Sequence, residues 1–275
     1  MPPVTAPVNL RQLDFDGNEL DRLEMLVEEV PVALVYNGVS HAVMMASPAD
    51  LEDFARGFSL SEGIIERADE IRDVEAVPHE KGIELKIDLA PESFWRLKER
   101  RRTMAGRTGC GLCGIDSLEQ VARDLPRLPG SHLADGGRVA LAAIQRALAA
   151  LPAAQVHNAK ARALHAAAFC DGDGALLLLR EDVGRHNALD KLIGAVGAAG
   201  IDPARGFAVI TSRCSVEMVQ KAVIAGFHVL VAVSAPTLMA RRLAESSNLT
   251  LAALARSDSL LAVSHPERIT RESGA

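Results

Sequence analysis

The chain has 275 residues, 48% hydrophobic and 24% charged, with a net charge of −6 at neutral pH. That composition is ordinary for a soluble globular protein, and the length provides ample core for one large unit or two small ones. An acidic chain with one Trp and one Tyr has neither the electrostatic footprint nor the aromatic stacking platform of a nucleic-acid binder.

The start, MPPVTAPVNL, has no basic region and no apolar run, so it does not read as a secretory signal; residues 1–15 read as a loose tail. VEEVPVALVYNGVSHAVMMAS then alternates in strand fashion around Asn37-Gly38, a hairpin signal. PADLEDFARGFSLSEGII predicts a helix with Ser47 as N-cap and Pro48 in the first turn. GIELKIDLA reads as a strand and PESFWRLKERRR as a helix. SLEQVARDL and VALAAIQRALAAL read as helices on either side of a Gly136-Gly137 turn.

From Gln155 the rhythm changes. ARALHAAAFC and ALLLLRED bracket DGDG (171–174) as a hairpin, followed by three helix–strand pairs ending in LTLAALAR. That order predicts a mostly parallel sheet covered by helices on both faces. The layout expected is a tail (1–15), a small N-terminal mixed α/β domain (16–105), a cysteine loop with connecting helices (106–150) and a C-terminal three-layer α/β/α domain (151–275). Ala222–Ala240 carries no Asp, Glu, Lys or Arg and is long enough to span a bilayer. Gly226, His228 and Pro236 instead divide it into helix, strand and helix, so no membrane association is expected.

Three helix starts in the C-terminal half share one form: VGRHNALD (183–190), TSRCSVEM (211–218) and VSAPTLMA (233–240). In α/β folds ligands bind at the carboxyl ends of the strands, where helix starts present free N–H groups to anions. Arg185 and Arg213 favour an anion site there, with His186 and Ser215 as pocket candidates; capping by Asp182, Ser212 and Ser234 is the plainer reading.

The four cysteines, 110, 113, 170 and 214, are too sparse for a disulfide framework, which points to a reducing, cytoplasmic setting and a chemical role. Cys110 and Cys113 lie in the glycine-rich stretch RTGCGLCGID. A structural zinc site would need a second ligand pair at similar spacing, and none is present. A thioredoxin-like dithiol would follow a strand, whereas a basic helix precedes this loop. A sulfur-carrying nucleophile needs a thiolate, access and freedom to move. Arg96, Lys98, Arg100, Arg101, Arg102 and Arg107 stand upstream against Glu99 alone, and such cations favour a thiolate.

EEVPVALVYNGVSHAVM, GFSLSEGII, RTGCGLCGI, LHAAAF, EDVGRHNALDKLIG and TSRCSVEMVQKA together resemble FdhD, the formate dehydrogenase accessory sulfur-carrier family, over about Val27 to Ile269. The resemblance implies a sulfurtransferase that takes persulfide sulfur from a cysteine desulfurase. It would pass that sulfur to the molybdenum bis(molybdopterin guanine dinucleotide) cofactor destined for formate dehydrogenase. It further implies Cys110 as the persulfide bearer, Cys113 as its partner, and cofactor binding by Leu254, Ala255, Arg256, Ser257, Asp258 and Ser259. The C-terminal fold would resemble cytidine deaminase without its zinc site, since no Glu follows His186 at the spacing zinc deaminases use. No permanently bound metal is expected, and a homodimer is compatible. The alternative function is a non-enzymatic chaperone for the cofactor. NAKARALHAAAF and ALARSDSLLAVSHPERI depart from the family's usual pattern near the nucleotide segment.

Overall fold

The computed structural model describes residues 1–104 (side chains through 99), 125–129, 133 and 137–271. The cysteine loop and, up to its last residue Leu125, the expected helix SLEQVARDL therefore lie outside the described residues.

The expected tail is instead a strand. β1 (Thr5–Leu13) pairs antiparallel with β2 (Glu19–Val27) in a two-stranded sheet. Alternation of polar and apolar side chains suffices once a second strand is available to pair with. β3 (Val30–Tyr36) and β4 (Val39–Ala46) form the predicted hairpin, with Asn37 at φ 46° and Gly38 at φ 80°, the left-handed pair that a tight hairpin turn demands. After α1 (Leu51–Ser61) come β5 (Ile71–His79), β6 (Gly82–Leu89) and α2 (Pro91–Met104). The sheet order is β4-β3-β6-β5, with β3 and β6 parallel. Phe54, Ala55 and Phe58 of α1 pack on Leu34, Tyr36 and Leu85 of this sheet.

Ser47 does not cap α1. Asp50 is the N-cap, in the left-handed region at φ 53°. Ser47 is buried against the C-terminal half instead, its N–H donating to Asp182 (3.0 Å) and its hydroxyl accepting from the Val183 N–H (3.1 Å).

The C-terminal half contains β7 (Val139–Ala140), α3 (Leu141–Ala154), β8 (His165–Asp171), β9 (Leu176–Asp182), α4 (Arg185–Ala198) and β10 (Gly206–Ile210). It continues with α5 (Val216–Ile224), β11 (Val229–Ala232), α6 (Leu238–Ser246), β12 (Thr250–Ala253), β13 (Leu261–Ser264) and β14 (Ile269–Thr270). The main sheet runs β13-β12-β11-β10-β8-β9. β10, β11 and β12 are mutually parallel, but β8–β9, β8–β10 and β12–β13 are antiparallel. The sheet is thus mixed rather than mostly parallel. The β8–β9 hairpin enters with its first strand beside β10, and the unanticipated β13 closes the far edge.

The alternating faces of the strands serve two cores. Ala167, Phe169, Ala208, Ile210 and Leu230 meet α4, α5 and α6. Ala168, Cys170, Phe207, Val209 and Val231 meet Ile144 and Leu151 of α3. Helices therefore cover both faces, in a mixed α/β architecture. Ala222–Ala240 divides into the end of α5, β11 and the start of α6, and no helix among the described residues is long and apolar enough to cross a membrane.

The two halves meet along α1 and α4. A Cβ on Gly57 would stand 1.7 Å from the Asp190 carbonyl oxygen, and one on Gly194 would stand 2.0 Å from that of Asp53. Only glycine lets the two backbones approach this closely.

Candidate functional site

Strand directions bring the predicted segments to one edge. β9 is antiparallel to β8, and β8 to β10, so β9 runs with β10, β11 and β12. The carboxyl ends of these four strands, at Asp182, Ile210, Ala232 and Ala253, share one side of the sheet. The segments that follow them contain Arg185 and His186, Arg213 and Ser215, the start of α6, and residues 254–259. From β9 to β12 the row crosses four strand spacings, on the order of 20 Å, which suits an elongated ligand.

Main-chain bonds stitch these segments together. Val233 N–H donates to the Ile210 carbonyl (2.9 Å), Leu254 N–H to Ser234 (3.2 Å) and Ala255 N–H to Ala232 (3.2 Å). Cys214 and Ala235, and Thr237 and Cys214, are joined by N–H to carbonyl bonds of 3.1 and 3.0 Å, which tie the start of α5 to that of α6. Segment 254–259 begins with Leu254 at φ 50° and closes on itself through Arg256 N–H to the Ser259 carbonyl (2.8 Å). Gln145 of α3 donates to the Ser257 carbonyl (2.7 Å), and the Arg256 guanidinium donates to the Val233 carbonyl. Arg256, Ser257, Asp258 and Ser259 are exposed, while Ala255 is buried.

The helix caps differ from the plain sequence reading. The N-caps of α4, α5 and α6 are Gly184, Ser215 and Thr237. Asp182 takes a different part. Both its carboxylate and the Lys191 ammonium are fully buried, 2.6 Å apart. The carboxylate also accepts from the Gly184 N–H (2.8 Å) and the Asn187 amide (3.0 Å). Lys191 donates to the Ser47 carbonyl (2.9 Å), and Asn187 to the Met45 carbonyl (2.8 Å). One turn on, Asp190 accepts from Ser61 (2.7 Å) and Lys221 (2.9 Å), and Lys221 also reaches Glu62 (3.0 Å). Burial pushes the Asp190 carboxyl up to about 6, against the opposing pull of Lys221. Within EDVGRHNALDK, then, Asp182, Asn187, Asp190 and Lys191 bind the N-terminal half.

Arg185 and His186 are left for other work. The Arg185 Nε and His186 Nε2 atoms are buried and have no hydrogen-bond partner. Burial, reinforced by Arg185 and Lys221, pushes the His186 imidazole down to about 4, so it is neutral at physiological pH. Glu217 in the first turn of α5 is held below the usual carboxylate range. Burial is outweighed there by Ser215, the helix-start backbone and the nearness of His186 and Arg185. The starts of α4 and α5 are therefore neighbours. Arg213 is exposed beside them. Two helix N-termini, two arginines and an unpartnered imidazole nitrogen fit an anionic group such as a phosphate.

His165 belongs to the same neighbourhood and was not singled out from sequence. It opens β8 directly opposite Asp182, and burial and Arg185 lower its pKa while Asp182 opposes them. The signal was its place in LHAAAF at a strand start, which becomes informative only once β8 is known to lie between β9 and β10. Cys170 and Cys214 are buried, and burial pushes each thiol up to about 12. Neither is a nucleophile as placed. Cys110 and Cys113 lie outside the described residues.

A model of the FdhD/NarQ family matches residues 27–270. The chain belongs to that family. It is 49% identical over 246 residues to the sulfur carrier protein FdhD of Bordetella petrii, covering 90% of this chain and 87% of the relative. It is 52% identical over 247 residues to that of Cupriavidus necator, covering 90% and 84%. A crystal structure of a formate dehydrogenase accessory protein from Desulfotalea psychrophila superposes with a TM-score of 0.76 at 22% identity, covering 98% of this chain and all of the other. In this FdhD/NarQ chain the stretch EDVGRHNALDK is thus divided between two tasks, latching the halves together and opening α4 toward the shared edge.

Proposed function

We propose that the protein is a sulfur carrier of the cytoplasm that serves a formate dehydrogenase. Its relatives at about half identity are named sulfur carrier proteins. The observation within the molecule that carries the reading is the single edge on which the α4 and α5 starts and segment 254–259 converge. That edge suits the phosphates of a guanine-dinucleotide cofactor. Molybdenum bis(molybdopterin guanine dinucleotide) is cargo here, the acceptor of the sulfur. Arg185, Arg213 and the N–H groups at the two helix starts bind its anionic groups, His186 and Ser215 line the pocket, and residues 254–259 close the far end.

The Cys110 thiolate attacks the outer sulfur of a cysteine desulfurase persulfide. The S–S bond of the donor breaks, the donor leaves as a thiolate, and Cys110 becomes a persulfide. In the release step the Cys113 thiolate attacks the inner Cys110 sulfur. The outer sulfur leaves as hydrosulfide equivalent to the acceptor, and a Cys110–Cys113 disulfide remains for reduction. The cytidine deaminase-like layout without zinc is part of the same proposal in one respect: where zinc deaminases place their acid/base Glu two residues after the ligand His, this chain has Ala188 after His186.

The test is intact mass after incubation with a cysteine desulfurase and cysteine, on wild type, Cys110→Ala and Cys113→Ala. A reducible gain of about 32 Da, one sulfur, is expected in wild type and Cys113→Ala and not in Cys110→Ala. No gain in any of the three would overturn the carrier reading and leave a cofactor-holding chaperone.

A further inference from the structure

β8 runs against its neighbours, so its first residue, His165, lies at the edge where β9 and β10 end. The chain leading into it, 157–164, is therefore a further segment of that edge, and the sulfur-carrier reading leaves it without a task. Local bonds fix it in place. The Glu181 carboxylate, one residue from the end of β9, accepts from the His157 and Asn158 N–H groups (2.9 and 2.7 Å). Asn158 then closes the helical turn Asn158–Ala161. Its carbonyl accepts from the Arg162 N–H (2.8 Å) and its side chain from the Leu164 N–H (3.0 Å).

The closure holds Arg162 in the left-handed region, at φ 56° and ψ 25°. Six described residues other than glycine have a positive φ. Asn37, Asp50 and Asn248 are of the types that tolerate it. The other three are Arg162, Leu254 and His265, and Arg162 and Leu254 stand at opposite ends of the candidate edge. A long side chain kept where glycine would relieve the backbone points to a task for that side chain.

Charge indicates the task. Arg162 and Lys160 are exposed, and neither side chain has an ion pair or hydrogen bond among the described residues. The adjoining strand β2 offers no free acid: Glu19 and Asp21 pair with Arg11, and Glu24 with Arg22. Asp182 is taken by Lys191. Arg185 acts on His165, three residues after Arg162, helping burial to lower its pKa. Glu217 faces Arg185 from α5, but Arg162 and Lys160 have no such counterpart. Beside them the Arg185 Nε and His186 Nε2 atoms are buried without a partner. Uncompensated cations next to buried, unfilled polar atoms suit an anion that carries more than one charged group.

We propose that Arg162 determines specificity at this edge by binding the outer phosphate of a diphosphate-bearing ligand whose inner phosphate rests on Arg185 and the α4 start. Lys160 adds charge beside it. The assignment rests on the reading of the edge as an anion site and extends that site past the end of β9. Arginine is suited to the position because its guanidinium gives a phosphate two parallel N–H groups.

The experiment is calorimetric titration of the full chain with inorganic phosphate and inorganic pyrophosphate at low ionic strength, where exposed charges are least screened. Wild type, Arg162→Gly, Arg162→Lys and Arg185→Ala are compared. Wild type is expected to bind pyrophosphate about 10-fold or more tighter than phosphate, the worth of one charge-assisted contact. Arg162→Gly is expected to lose that preference and to unfold at or above the wild-type Tm, since glycine suits the left-handed backbone. Arg162→Lys is expected to fall between them. An Arg162→Gly protein that keeps the wild-type preference overturns the proposal. A lowered Tm with an equal loss for both anions overturns it too, because the arginine would then be structural. If Arg185→Ala weakens both anions while Arg162→Gly changes neither, the anion edge stands and the role of Arg162 falls. If wild type binds neither anion, both fall together.

Discussion

Replacing Lys191 with Met tests whether the two halves are latched by the buried cluster beneath the α4 start. Methionine keeps most of the volume and removes the charge and its donors. It leaves the Asp182 carboxylate, which has no exposure to water, without its counter-ion, and the Ser47 carbonyl without its lysine donor. Breaking a buried pair from one side costs about 3–5 kcal/mol. Asp182 retains the N–H groups of Ser47, Gly184 and Asn187, which places the expected loss at the lower end, ~3 kcal/mol. In urea that is a midpoint shift of roughly 1 M. Asp182→Asn in the same background removes the stranded charge, so the double variant should be less destabilised than the two single losses added, by at least ~1.5 kcal/mol.

The location of the cluster gives the assay a second readout. Trp95 is the only tryptophan and lies in the N-terminal half, so its fluorescence reports on that half while far-UV circular dichroism reports on both. Wild type should unfold with coincident transitions, and Lys191→Met with separated ones, because the latch joins Ser47 and Met45 to α4. A loss below ~0.5 kcal/mol, additive with Asp182→Asn and with coincident transitions, would refute the latch.

The remaining predictions concern pH and packing. His186 has a folded pKa near 4, depressed by burial and by Arg185, against about 6.5 unfolded. Its contribution is therefore complete above pH 6.5 and is lost as pH falls toward 4, by ~2 kcal/mol once partial exposure is allowed for. His186→Gln should flatten the stability curve between pH 6.5 and 4 by that amount relative to wild type; parallel curves would contradict the burial argument. Gly194→Ala puts a methyl 2.0 Å from the Asp53 carbonyl oxygen and should cost ~3 kcal/mol or more in thermal or urea unfolding. A near-neutral result would mean that α1 and α4 do not cross so closely.

Local order was readable wherever a short-range rule decides the outcome. Asn37-Gly38 fixed a hairpin because only a left-handed turn joins β3 to β4. β10 and β11 are continuous apolar runs, and they are buried because charged side chains have no place between two helical layers. What escaped was set by partners distant in sequence. Ser47 has the chemistry of an N-cap, but its backbone N–H is 3.0 Å from Asp182, 135 residues away. The strand at Thr5–Leu13 needs β2, and the direction of β8 follows from its pairing with β10. Nothing local indicates that choice. The candidate edge was legible in part for the same reason: each helix start is a local signal, whereas their convergence depends on strand order.

The division of labour in EDVGRHNALDK carries a consequence for how the edge works. Asp182 and Asn187 flank Arg185 and His186 and are held to Ser47 and Met45, at the end of β4. Asp190 and Lys221 fix α4 to α5 from below, again with an N-terminal residue, Ser61, in the same cluster. The two helix starts that would receive an anion are therefore registered through buried charges against the N-terminal sheet rather than through the C-terminal sheet alone. A ligand bound between Arg185 and Arg213 would press on elements whose other ends are anchored in the N-terminal half. Because such buried ionic contacts are broken at a cost of several kcal/mol, the edge has little freedom to move apart from that half. The motif thereby joins the two halves into one rigid surface along that edge.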